Sequence, residues 1–109
     1  MTIVTMYQDK NQLYTGFEVN GHAGFAESGQ DIICSAISIL IINTINSIES
    51  FTEDFFSYEE DEDQGYMRFS LDETCSAATQ LLLKSMVLGL SEIQKQHKSK
   101  YLKLKFEEV

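Results

Sequence analysis

The sequence predicts a small two-layer α/β (α+β) domain, a sheet with two helices packed on it, in the order ββαββαβ. Three observations point there. Short runs rich in β-branched and aromatic residues occur in two pairs, each pair split by a polar turn. Each pair is followed by a long segment whose apolar residues recur at helical intervals. The C-terminal YLKLKFEEV then alternates, as a half-buried strand does.

Residues 2–8 (TIVTMYQ) and 13–20 (LYTGFEVN) form the first pair, joined by the polar DKNQ. A stretch through Gly29 leads to Asp31, and from there to about Phe51 the residues Ile33, Ile37, Leu40, Ile41, Ile48 and Phe51 mark a helix face. Isoleucine is a mediocre helix former, so packing on the sheet has to hold this helix. Residues 55–60 and 65–71 form the second hairpin, with Asp63, Gln64 and Gly65 supplying turn chemistry. Thr74 to about His97 is the second helix, with Ala78, Leu81, Leu82, Met86, Leu90 and Ile93 on its apolar stripe. In the last strand Leu102, Leu104 and Phe106 face one way and Tyr101, Lys103 and Lys105 the other. Apart from a weak echo of ββα in the two halves, there is no internal repeat.

The 109 residues suit one domain, 1–109, with a single core. The N-terminus lacks the basic start and apolar stretch of a signal peptide. The apolar run Ile32 to Ile42 is about half what a bilayer crossing requires. A cytoplasmic protein without membrane association is expected. The formal charge of -9 disfavours direct nucleic acid binding, which depends on Lys and Arg at the phosphates, and suits a basic partner. Cys34 and Cys75 have no metal-type spacing, and one pair makes no disulfide framework, so reduced thiols and no metal are expected. No phosphate-binding glycine motif is present, and no cofactor is implied. The helix from Ile32 to Ile48 is apolar almost all round. Ile39 and Ile42 lie off its sheet-facing stripe, which predicts a homodimer with this helix near the interface.

The chemistry concentrates in GHAGFAESGQDIICSAIS, residues 21–38. Four of the six glycines (Gly16, Gly21, Gly24 and Gly29) fall between positions 16 and 29, which suggests a flexible loop that closes over a site. With Asp31 as N-cap or first-turn residue, Cys34 sits in the first turn, where unpaired amides and the helix dipole favour a thiolate. The charge of Asp31 opposes that effect. Asp31, Cys34 and Ser38 are spaced i, i+3 and i+7 and share a face. His22 could reach the thiol as general base, and the amides of residues 33 to 35 or of the glycine loop could hold an oxyanion. Plainer roles fit the same spacings. Cys34 could be a small buried hydrophobe, His22 a loop hydrogen-bonder, Asp31 only a cap, and Ser38 bonded back to its own helix. Cys75 has no histidine close in sequence and reads as structural. The acidic run Glu59 to Asp63 is either a solvated hairpin tip or a dock for a basic substrate. Lys95, His97, Lys98 and Lys100 complement the end of the second helix.

Gly21-His22-Ala23, Gly29, Asp31-Ile32-Ile33-Cys34-Ser35-Ala36 and Ser38 together resemble the signature of the Prp family, the ribosomal-processing cysteine proteases of Firmicutes and related bacteria. Ser35 stands where alanine is more usual in that family. The resemblance implies a dimeric α/β protease that removes a short N-terminal extension from a large-subunit ribosomal protein, number twenty-seven. It makes Cys34 the nucleophile and His22 its base, with Asp31 and Ser38 in support. It also implies a mobile loop from Ala23 to Gln30 and a cleavage motif that is apolar and aromatic before the cut. The rivals are a ribosome-associated binding factor without enzymatic activity and a thiol-transfer protein. The second is weakened by the lack of a Cys-x-x-Cys pair. Faster alkylation of Cys34 than of Cys75 at neutral pH separates the protease from the binding factor.

Overall fold

The computed structural model describes residues 1–21, 28–73 and 75–109, with the backbone alone for 28–31. Its element order is ββαββαβ, as the patterning predicts: β1 (Thr2–Gln8), β2 (Tyr14–Asn20), α1 (Ser28–Phe51), β3 (Phe56–Asp61), β4 (Tyr66–Leu71), α2 (Ala77–Gln96) and β5 (Leu102–Glu108). The five strands form one sheet in the order β3-β4-β2-β1-β5. β1 is antiparallel to β2, β2 to β4, and β4 to β3, whereas β1 and β5 run parallel. It follows that β2 and β3 point the same way, as do β4 and β5. Each helix is therefore a crossover between parallel strands, and both crossovers pack on the same side of the sheet.

Period-two alternation selects the covered face. Val4 and Met6 of β1 pair with Val19 and Phe17 of β2, and Phe17 pairs with Phe69 of β4. All five are buried, and the rings of Phe17 and Phe69 stack with centroids 5.0 Å apart. The open face carries the intervening residues. There Thr5, Glu18, Arg68 and Glu59 make one row across four strands, and Tyr7 donates its hydroxyl to Glu18 at 3.1 Å. Gly16 sits where β2 and β4 come so close that a Cβ would fall on the carbonyl oxygen of Phe69. This glycine serves sheet packing and not loop motion.

α1 buries Ile37, Ile41, Thr44, Ile45 and Ile48 on the sheet. The predicted stripe holds for Ile37, Ile41 and Ile48, with Ile33 and Leu40 partly buried, but omits Ile45 and wrongly includes Phe51. Phe51 is 78% exposed, at the last residue of the helix. The 20 residues Ile32–Phe51 have a mean hydropathy of 1.7, enough by length and composition to span a bilayer. In this fold that apolarity serves one face in the core and leaves a second face uncovered.

The stripe on α2 needs a larger correction. Thr79, Leu83, Met86 and Leu90 are buried, whereas Leu81 is 67% exposed and Ala78 is also on the surface. The helix start fixes this phase. Ser76, with φ -72° and ψ 161°, is the N-cap and accepts from the Thr79 N–H. Asp54, just beyond α1, accepts from the Ser76 N–H at 2.9 Å, the Ser76 hydroxyl at 2.8 Å and the Thr79 hydroxyl. Thr79 also reaches Thr52, whose hydroxyl donates to the Ile48 carbonyl at 2.7 Å. Gln80 then turns inward, because its amide accepts from the Tyr14 N–H and donates to the Tyr14 carbonyl, each at 2.8 Å. With Thr79 and Gln80 drawn in, positions 83, 86 and 90 must follow.

The donors around Asp54, first the Thr79 hydroxyl and then Ser76, hold its carboxyl below the usual carboxylate range. A depressed folded-state value stabilises the fold above the ordinary carboxylate pKa, and that contribution is lost as pH falls through the lowered one. Asp54→Asn is therefore expected to lower the urea midpoint at pH 7. The deficit should shrink as both proteins are titrated below about pH 4.

Candidate functional site

β2 and β3 end on the same side of the sheet, and α1 begins there before running back over them. Gly21 closes β2 at that end. Its φ is +96°, and a Cβ on it would collide with the Met1 carbonyl oxygen, so only glycine fits. Its N–H donates to the Gly65 carbonyl at 2.9 Å, which ties the exit of β2 to the β3–β4 turn. Gly65 itself has φ +62° and donates to the Glu62 carbonyl at 3.2 Å.

Cys34 is a free, half-buried thiol on α1. The sequence reading placed it in the first helical turn, but α1 starts at Ser28, so Asp31 is the fourth helical residue and not the cap. Cys34 is the seventh. The helix dipole acts mainly within the first turn, and the unpaired amides of a helix are its first four. Those are residues 28–31. The amides of residues 33 to 35, considered as oxyanion donors, are consumed by intrahelical hydrogen bonds. The helix start thus lies further from Cys34 than the sequence suggests.

The expected loop from Ala23 to Gln30 overlaps α1. Residues 28–30, including Gly29, are helical, so Gly29 belongs to the first turn of α1 and not to a flexible connection. His22 and Gly24 lie outside the described residues. For Asp31 the backbone is described, and the spacing Asp31, Cys34, Ser38 now falls wholly within one helix.

Ser38, one turn after Cys34, is exposed. It lines a cavity of about 220 Å³ together with Gly21, Val19, Met67 and the hairpin residues Glu60 to Glu62. The residue after Gly21 is His22. The fold therefore brings the attachment point of the histidine and the exposed neighbour of the cysteine to one cavity, although they are seventeen positions apart in sequence. The hairpin also departs from the reading of Glu59 to Asp63 as a tip. Glu59, Glu60 and Asp61 belong to β3, and only the turn after Asp61 is tip. The strand expected over 55–60 thus runs one residue further, to Asp61.

Cys75 has a different setting. Its sulfur accepts from the Gln80 amide at 2.8 Å, the same amide that holds Tyr14. Among the described residues no group of His, Cys, Asp and Glu has the geometry to hold a metal ion.

The family model for the cysteine protease Prp matches residues 1–103 of this chain. The ribosomal processing cysteine protease Prp of Bacillus subtilis (strain 168) is 29% identical over 102 residues, covering 90% of this chain and 91% of that protein. The crystal structure of SMU.848 from Streptococcus mutans superposes with a TM-score of 0.89 at 29% identity, covering 100% of this chain and 96% of the other. The essential ribosomal processing protease Prp from S. aureus in complex with a substrate peptide has the same fold. Its TM-score is 0.90 at 22% identity, with 98% of this chain and 100% of the other covered. The match of the family model over residues 1–103, on a chain with this fold, places the protein in the Prp family of cysteine proteases.

Proposed function

We propose that this protein is the endopeptidase that removes the short N-terminal extension of a large-subunit ribosomal protein, number twenty-seven, in the cytoplasm before or during ribosome assembly. The observation that supports this most directly is the cavity shared by Gly21 and Ser38, which joins the chain leading into His22 to the helix turn above Cys34. The relatives named as ribosomal processing proteases support the substrate class.

In this reading the Cys34 sulfur attacks the scissile carbonyl carbon while His22 accepts the thiol proton. The tetrahedral intermediate collapses to a thioester, and the same imidazolium protonates the departing amine. Water, deprotonated by His22, then attacks the thioester and releases the acyl product with the sulfur regenerated. With the amides of residues 33 to 35 committed to the helix, the oxyanion donors come from elsewhere in the site. The test is purified protein mixed with the extended ribosomal precursor, with mass spectrometry to locate the cut. One cleavage at the end of the extension is the expected result, and an intact precursor refutes the proposal.

The protein acts as a homodimer in the same proposal. Ile32 and Ile39, seven residues apart on α1, are 70% and 69% exposed, a ridge that a lone chain leaves in water. Light scattering at micromolar concentration is expected to give the mass of two chains, and Ile39→Glu to give the mass of one. A single-chain mass for the unaltered protein removes the dimer.

A further inference from the structure

α1 has a second cavity on the same side as Ser38. It measures about 290 Å³ and lies between Ile42, Ile45 and Glu49 of the helix and Phe56, Tyr58 and Glu60 of β3. Glu60 also lines the cavity that holds Ser38 and Gly21. The two are therefore successive stretches of one groove. It starts one helical turn from Cys34 and runs along α1 beside β3, the outermost strand of the sheet. We propose that this groove receives an extended segment of the peptide substrate, and that Glu60, at the junction of its two stretches, selects a lysine or arginine side chain near the scissile bond.

This rests on the peptidase reading above and adds a specificity determinant to it. The groove has an apolar floor in Ile42, Ile45 and Phe56, which suits an aliphatic or aromatic side chain of the same segment. Among the described residues its ionisable lining is acidic apart from the tyrosines, with Glu49, Glu60, Asp61 and Glu62. Charge complementarity thus favours a cationic occupant, and segments of ribosomal proteins are cationic because they meet RNA phosphates.

Glu60 is also held in place. The Tyr58 hydroxyl donates to its Oε2 at 2.8 Å. Burial and then this bond push the Tyr58 phenol up to about 12, so it remains a protonated donor at neutral pH. Strand alternation puts Phe56, Tyr58 and Glu60 on the same face, so the determinant and the apolar floor are set by one element.

The experiment measures binding apart from cleavage. Labelled peptides spanning the cleavage site, with a lysine walked one position at a time across the scissile bond and a glutamine counterpart for each, are titrated into Cys34→Ala protein with and without Glu60→Gln. At one position lysine should bind about fivefold tighter than glutamine when Glu60 is present and no tighter in Glu60→Gln. Glu60→Lys should reverse the preference toward a glutamate peptide at that position. A lysine preference that survives Glu60→Gln, or none at any position, overturns the proposal. Peptide binding that is lost as the protein concentrates into a dimer also overturns it, by assigning the groove to a second copy. If the lysine preference behaves as expected but the unaltered protein cuts nothing, the groove stands and the peptidase reading alone fails.

Discussion

Cys34→Ala is expected to lower the rate of precursor cleavage by at least about 10⁴-fold while leaving the thermal midpoint within a few degrees of the parent protein. The size follows from the role. Without the sulfur no thioester forms, and what remains is binding and orientation of a peptide bond that must wait for water. The small structural effect follows from the location. Cys34 is half-buried near the start of a helix whose packing is supplied further along by Ile37, Ile41, Ile45 and Ile48. His22→Ala should match the loss in activity, since a dyad fails as a unit when either member is removed. Cleavage by either variant within tenfold of the parent rate would require another nucleophile or base. Circular dichroism and the mass in solution, both unchanged, are the controls.

The second large effect falls on a residue that does no chemistry. Gly21→Ala should destabilise the protein by about 2 to 4 kcal/mol, combining the cost of a positive φ for an alanine with the collision between its Cβ and the Met1 carbonyl. A loss of this size corresponds to a fall in Tm of about 10 °C or more. Activity should fall further than stability alone explains, because the bond from Gly21 to Gly65 ties the β2 exit to the turn beside the groove. Cleavage measured well below the melting transition separates the two losses. A Gly21→Ala protein with parental stability and rate would mean that the chain reaches His22 by a different path.

These two residues also show what the sequence could and could not disclose. The coarse architecture was legible because alternation in TIVTMYQ, GYMRFSL and YLKLKFEEV and helical spacing between them are local properties. The identity of Cys34 as a site candidate was legible because unusual residues cluster in 21–38. Its place in the helix was not. Ser28, Gly29 and Gln30 look like loop residues, and only the fold shows them as the first turn, which moves Cys34 one turn inward. The inward phase of α2 was hidden for a related reason. Thr79 and Gln80 look like surface residues until Asp54, twenty-five positions earlier than Thr79, and the backbone of Tyr14 supply partners for them. Gly16 and Gly21 drew attention as part of one glycine-rich stretch, yet one is explained by the Phe69 carbonyl and the other by Met1. Both contacts are tertiary, and no spacing along the chain announces them. Glu60 was likewise visible only as part of an acidic run. Its distinct position depends on which face of β3 it takes and on α1 lying opposite.

The parallel pairing of β1 with β5 sets Thr2 opposite Leu102 and Gln8 opposite Glu108. β1 therefore waits for β5, some hundred positions on, before its outer edge is satisfied. Contacts of that sequence separation slow folding, because most of the chain must be organised before they form. While β5 is undocked, one side of β1 stays bare. Until β5 docks, β1 keeps an open strand edge, a point for chaperones or for aggregation.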